Sequence, residues 1–73
     1  MMYDNFYELR DSLGWHEFNN TGDVPRSVEL EFCYDFMDVL DGVEEPRTNL
    51  FLYDGDVYNW MASTEYNYWR VKA

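Results

Sequence analysis

The sequence predicts a small α+β domain in which two helices pack on a three-stranded antiparallel β meander. Three observations predict this class: an amphipathic segment near the N terminus, a second amphipathic stretch in the middle, and β-rich runs separated by turn residues near the C terminus. The chain has 73 residues and a mass of 8.9 kDa, which is the size of one domain. Because acidic disordered chains are poor in aromatic residues and this chain has 21%, residues 1–73 are expected to fold as one unit.

The first helix is predicted over residues 5–13. Asn5 and Glu8 have the spacing of a capping box, in which each side chain accepts a backbone hydrogen bond at the helix start. Gly14 suits the position just after a helix C terminus. The apolar residues of the segment share one helical face, and they are Phe6, Leu9 and Leu13.

Residues 15–27 carry turn chemistry, with Asn-Asn-Thr-Gly at 19–22 and a Val-Pro pair at 24–25. Trp15 and Phe18 are expected to anchor this loop to the core. A short edge strand over 15–18 is an open alternative for its first part.

Residues 28–41 fit two interpretations, of which the first is a strand. From Val28 to Phe36, apolar residues alternate with acidic residues and Cys33, which is typical of a strand over 28–36. The alternation stops at Met37.

The second interpretation, a helix over 28–41, explains the whole run and is the one we favour. It gathers most of the carboxylates on one face and the apolar residues on the opposite face. Ser27 suits the N-cap and Gly42 the position after the C terminus. Both interpretations place a row of carboxylates on one side and an apolar stripe on the other.

The C-terminal third is predicted to supply the meander, after a loop over 43–49. Asp54-Gly55 lies between the β-rich runs 50–53 and 57–61, and this pair is a strong signal for a type I′ hairpin turn. A second turn is predicted at 63–65 and a last strand over 68–72.

In that hairpin, each residue of 50–53 has a cross-strand partner in the second run. Phe51 is expected to face Tyr58, and Leu52 to face Val57.

The charge is strongly unbalanced. Fifteen acidic residues against five basic ones give a formal net charge of −10, whereas solubility needs a magnitude of only about 2–8. Such an excess opposes compaction and attracts basic surfaces. Seven acids and no base stand between residues 29 and 45, and we call this group the acidic belt: Glu29, Glu31, Asp35, Asp38, Asp41, Glu44 and Glu45.

The acidic belt has two interpretations. It is either an ordinary solvated surface or a partner-binding site whose carboxylates imitate the phosphates of a nucleic-acid strand. Carboxylate steps of about 4.5–6 Å on a helix or about 6.6 Å on a strand are similar to the separation of phosphates. Phosphates repel this chain, so direct nucleic-acid binding is not expected.

No residue pattern predicts catalysis, a metal site or a cofactor. His16 and Cys33 are far apart in sequence, and a free Cys on an apolar face usually behaves as a small hydrophobe. Asp54-Gly55-Asp56 resembles the start of a calcium loop, but Asn59 stands where such a loop needs glycine. We therefore expect a protein that is not an enzyme.

Further expectations concern disulfides, location and the aromatic residues. The chain has one Cys, which excludes an internal disulfide. With no long apolar run and no signal-peptide pattern at Met1-Met2-Tyr3-Asp4, we expect a cytoplasmic protein that does not bind membranes. The aromatic residues of the C-terminal third are either core filling or anchors of a protein interface.

In length, charge and the helix-plus-meander pattern, the chain resembles the small acidic proteins that bacteriophages use against host defences, the anti-CRISPR proteins and the antirestriction DNA mimics. The acidic belt is the most specific part of this resemblance. It implies an inhibitor that acts in the host cytoplasm and blocks the nucleic-acid-binding surface of a basic partner, such as a CRISPR effector complex or a restriction enzyme. The alternatives are an immunity protein or antitoxin that masks a basic nuclease or toxin, and a structural virion protein that oligomerises.

Overall fold

The computed structural model describes residues 5–18, 24–25 and 27–72. These residues form an α+β fold, and this predicted class is confirmed. The elements in chain order are α1 (Phe6–Ser12), β1 (His16–Glu17), β2 (Glu29–Cys33), α2 (Phe36–Leu40), β3 (Arg47–Leu50), α3 (Asp54–Thr64) and β4 (Tyr68–Val71).

The strands form one antiparallel sheet in the order β1-β4-β2-β3. β2 lies between β3 and β4, with Phe32 opposite Arg47 on one side and Trp69 on the other. The sheet therefore has four strands, and the β2 segment that we favoured as a helix is central to it. The short edge strand considered for residues 15–18 is present as β1.

Each face of the sheet carries its own core. On one face, Leu30 and Phe32 of β2 pack with Val57 and Met61 of α3, and all four are fully buried. On the other face, a smaller cluster lies beneath α1 and α2 and contains Trp15, Cys33 and Phe36. Successive side chains of a strand point to opposite faces of the sheet, and this places Phe32 in one cluster and Cys33 in the other. Both faces are therefore covered at least in part.

The prediction for the first helix is confirmed. The Asn5 side chain accepts a hydrogen bond from the backbone N–H of Glu8 at 2.9 Å, which is the first half of the capping box. Gly14 has φ of +83°, a conformation that favours glycine after a helix C terminus.

The favoured helix over 28–41 is wrong, because the run is divided between two elements. Residues up to Cys33 are strand β2, as the alternation indicates, and α2 begins at Phe36. Asp35 is the N-cap of α2, and its side chain accepts from the backbone N–H of Met37 at 2.9 Å. Ser27 is not a helix cap. Gly42 does follow the helix end, with φ of +77°.

The hairpin predicted around Asp54-Gly55 is also wrong, because residues 54–64 form helix α3. Val57, Trp60 and Met61 pack in the same core cluster, and their spacing of three and four residues is that of one face of a helix. The predicted pairs of 51 with 58 and 52 with 57 therefore do not exist. The turn predicted at 63–65 is the end of α3, where Glu65 has φ of +66°. The last strand is confirmed at 68–71.

Candidate acidic binding surface

The fold does not bring the seven belt residues into one row. Glu29 and Glu31 lie on β2, and Asp35 lies at the junction of β2 and α2. Asp38 is in α2 and Asp41 is its C-cap residue. Glu44 and Glu45 follow in the loop before β3. The belt thus has a strand part and a helix-and-loop part, and their electrostatic surroundings differ.

The strand part is neutralised within the molecule. Glu31 forms an ion pair with Arg70 of β4, with 3.1 Å between Oε1 and Nε, and the two residues are directly opposite in the strand register. Glu29 approaches Lys72 with 3.8 Å between Oε2 and Nζ. These two carboxylates are therefore poor candidates for binding the basic groups of a partner.

Arg70 is fixed by two more contacts. Its guanidinium carbon lies 4.2 Å from the centroid of the Trp15 ring, and its Nη1 donates to the backbone carbonyl of Leu13 at 3.1 Å. A cation–π contact and a carbonyl acceptor both favour a guanidinium over a lysine ammonium at this position. Arg70 therefore links strand β2, through Glu31, to Trp15 and to the end of α1.

We call the helix-and-loop part of the belt the α2 acidic segment. Within the described ranges, none of its carboxylates forms an ion pair with a basic residue. Asp38 and Asp41 are three residues apart and lie on the side of the helix opposite the buried Phe36. Its members are Asp35, Asp38, Asp41, Glu44 and Glu45.

Backbone hydrogen bonds hold the α2 acidic segment in place. The Glu44 carboxylate accepts from the backbone N–H groups of Tyr34 and Asp35, at 2.7 and 2.9 Å. The backbone carbonyl of Asp38 accepts from Val43 and from Glu44, at 2.8 and 3.1 Å. With the Asp35 cap, these bonds close the loop back onto the strand–helix junction. The negative charges are therefore presented on an ordered framework.

Tyr34 is an exposed aromatic residue directly beside this segment, and sequence reasoning did not select it. Its ring stacks on Tyr66 with centroids 4.4 Å apart, and its hydroxyl donates to the Thr64 carbonyl at 3.3 Å. Asn67 donates to its backbone carbonyl at 2.8 Å. Although 49% exposed, Tyr34 is thus held against the end of α3 and the residues that connect it to β4, and tyrosine is a favoured interface residue.

The remaining basic residues of the described ranges, Arg10 and Arg47, also have partners inside the molecule. Arg10 pairs with Asp11 at 3.0 Å and with Glu17 at 2.6 Å. Burial alone would lower its pKa, but the Asp11 hydrogen bond and the nearby carboxylates raise the pKa above its usual value. Arg47 lies over the ring of Trp60 at 4.9 Å.

The residues considered for catalysis are placed apart and in unfavourable surroundings. His16 is on edge strand β1 and Cys33 on β2, with β4 between them. The Cys33 side chain is fully buried, and burial, assisted by Glu44, raises the pKa of its thiol to about 12. A thiol in this state is a weak nucleophile, because the reactive form is the thiolate.

The residues considered for metal binding belong to helix α3. Glu65 stands twelve positions along from Asp54, counting both, but a calcium loop is not a helix, so the calcium-loop interpretation fails on geometry. Among the described residues, no group of three or more His, Cys, Asp or Glu side chains is arranged to hold a metal ion.

In comparisons with known proteins, no family model, no curated protein and no solved structure matches this chain. In the described part of the chain, no helix has the length and apolar character needed to cross a membrane.

Proposed function

We propose that this protein is a non-enzymatic inhibitor that occupies the basic nucleic-acid-binding surface of another protein, in the manner of the anti-CRISPR and antirestriction DNA mimics. The observation that carries the proposal is the distribution of charge. Each basic residue of the described ranges already contacts a carboxylate or an aromatic ring of the same molecule. None of these basic residues forms an ion pair with the α2 acidic segment, so its charge is available to a partner.

The rigidity of the segment supports the proposal. Charges that are already in position lose little conformational entropy on binding, which increases affinity. Hydrogen bonds between carboxylates and arginine are charge-assisted and can be bidentate. A groove lined with Lys and Arg would therefore recognise the segment by charge, and electrostatic attraction would accelerate the encounter.

Competition with DNA tests the proposal directly. A purified CRISPR effector complex and a purified restriction endonuclease are each mixed with labelled duplex DNA and increasing amounts of the protein, and bound DNA is followed by mobility shift. We expect displacement of DNA from one of these enzymes at 50 mM NaCl. Direct binding of the protein to that enzyme, measured by calorimetry without DNA, should be much weaker at 500 mM than at 50 mM, because salt screens exposed charges.

Two double variants with the same change in net charge make the test specific to the site. Asp38→Asn with Asp41→Asn removes two of the five carboxylates of the α2 acidic segment, and we expect it to reduce competition at least tenfold. Asp56→Asn with Glu65→Gln neutralises two exposed acids on α3 and should change competition little. Equal loss in both variants would indicate a general charge effect. Failure to displace DNA from either enzyme, with capture of a toxin or nuclease instead, would favour the immunity-protein alternative.

A further inference from the structure

A half-open cavity of about 220 Å³ lies between the end of α1, helix α2 and strand β4. Its walls are mostly apolar, and Arg70 is the charged residue among them. An apolar cavity of about 150 Å³ is large enough to bind benzene, so this one has room for a single aromatic ring. The lining residues are Leu13, Trp15, Phe36, Val39, Leu40 and Arg70.

Several residues that line the cavity are held in place by other contacts. The Phe36 ring packs against Phe6 at 4.7 Å and against Tyr68 at 5.1 Å between centroids. Trp15 is buried beneath the guanidinium of Arg70. Leu40 is 53% exposed and therefore lies at the mouth. A preformed apolar pocket with an exposed apolar rim is the kind of site that accepts an anchoring side chain at a protein interface.

The Arg70 guanidinium in the wall of the cavity does not require a negatively charged ligand. Arg70 already has its charge balanced by Glu31 and donates to the carbonyl of Leu13. Around the cavity the free charge is negative, because α2 also carries Asp38 and Asp41 on its other side, within about one helix diameter, 10–12 Å, of the pocket. A neutral ring flanked by basic residues matches both features.

We infer that the cavity between α1 and α2 binds an aromatic side chain of the same basic partner whose Lys and Arg residues contact the α2 acidic segment. This inference rests on the proposed function and adds to it. The carboxylates attract the partner and orient it, while the ring is buried beside Trp15, Val39 and Leu40. Binding would then combine a salt-sensitive part with an apolar part that salt does not weaken.

Short peptides test the inference on the intact protein by NMR titration at 50 mM NaCl. The probes, blocked at both ends, are Lys-Lys-Phe-Lys-Lys, Lys-Lys-Ser-Lys-Lys and Ser-Ser-Phe-Ser-Ser. Burying one aromatic ring predicts that the first peptide binds about tenfold tighter than the second. We expect it to shift the methyl signals of Leu13, Val39 and Leu40 and to show contacts between its ring protons and those methyls. The third peptide should bind more weakly than the first.

A cavity-filling variant supplies the control. Val39→Phe places a ring in the pocket, and we expect it to remove the advantage of the Phe peptide without changing binding of the Lys-Lys-Ser-Lys-Lys peptide. Because this variant could disturb the core, the ring-to-methyl contacts in the unmodified protein provide an independent measurement.

The possible outcomes distinguish binding in the cavity from binding to the carboxylates of the α2 acidic segment. Equal binding of the two basic peptides, or shifts confined to the α2 acidic segment, would overturn the inference and leave the proposed function intact. Equal binding of the basic and uncharged Phe peptides would overturn the assignment of a basic partner to the cavity. Absence of binding by any peptide would also overturn the inference, while the DNA competition assay decides the proposed function separately.

Discussion

The two parts of the acidic belt are both rich in carboxylates, but the fold gives them different surroundings. On β2, Glu29 and Glu31 each face a cation of the neighbouring strand end, so their charge is balanced inside the molecule. Around α2, the acidic residues are exposed or half-buried, two of them accept from backbone N–H groups, and none pairs with a described cation. A high density of acids along a sequence therefore does not define a binding surface. What matters is which strands the fold brings beside it.

The pKa of the Cys33 thiol is affected by carboxylates from both parts of the acidic belt, Glu31 and Glu44. Its titration gives the largest expected effect on stability. Burial raises the pKa of the thiol to about 12, from an ordinary value of 9.0, with Glu44 adding to the rise and Arg70 opposing it. Between pH 9 and 12 the unfolded chain loses this proton while the folded chain keeps it. Stability should therefore fall with rising pH across that window, by an amount on the order of a few kcal/mol.

Urea unfolding at pH 8, 10 and 11 measures this effect against Cys33→Ala. We expect the variant to be less stable than the parent at pH 8, and its stability to decline less steeply as the pH rises. Parallel declines would show that the thiol does not control the alkaline transition.

The next largest effect is expected at Arg70, which distinguishes the two ion pairs of β2. Arg70→Met leaves Glu31 half-buried without its cation and removes the contacts to Trp15 and Leu13, so we expect a loss of about 2 kcal/mol. Lys72→Met removes the longer and more exposed pair with Glu29 and should change stability by less than about 0.5 kcal/mol. Urea unfolding at pH 7 compares the two variants, and equal losses would contradict the distinction drawn between them.

The sequence predicted those features that depend on neighbouring residues. The Asn5 cap, the glycines after α1 and α2, and the alternation that ends at Met37 are all signals of this kind. The strand over 28–36 and the helix over 28–41 each explained part of the middle run, because the chain changes element within it. Asp35, one acid among many in the sequence, marks the change as the N-cap of α2.

Features that depend on distant pairing were not accessible from the sequence. Asp-Gly within β-rich residues favoured a hairpin, whereas the structure places Val57, Trp60 and Met61 in one core cluster on a helix. The spacing of residues 57, 60, 61 and 64 was the helical signal that could have been used. The ion pair of Glu31 with Arg70 joins residues 39 positions apart. No local pattern indicated which belt carboxylates would be neutralised, so the division of the belt required the structure.

Within the α2 acidic segment, the carboxylates that form backbone hydrogen bonds should differ from those that do not. Asp35→Ala removes the N-cap of α2 and should destabilise the protein by about 1 kcal/mol. Asp35→Asn keeps an accepting oxygen and should lose only a few tenths of this, about 0.3 kcal/mol. Thermal unfolding of the two variants measures the difference. If both lose the same amount, charge at residue 35 rather than capping stabilises α2.

The smallest expected effect on stability is at Asp38 and Asp41. It contrasts with the loss expected when the ion pair of Glu31 on β2 is broken. Their carboxylates form no ion pair with a described residue, and removing negative charge from a molecule with a net charge of −10 reduces its internal repulsion. Asp38→Asn with Asp41→Asn should therefore leave stability unchanged or raise it by less than about 0.5 kcal/mol, as is usual for surface substitutions. Thermal unfolding at 50 and 500 mM NaCl checks the cause, because screening should raise the parent more than the variant. A marked loss of stability in the variant would mean that these two carboxylates stabilise the fold. They could then not be assigned to a binding surface that is independent of stability, and such a surface would have to lie elsewhere on the molecule.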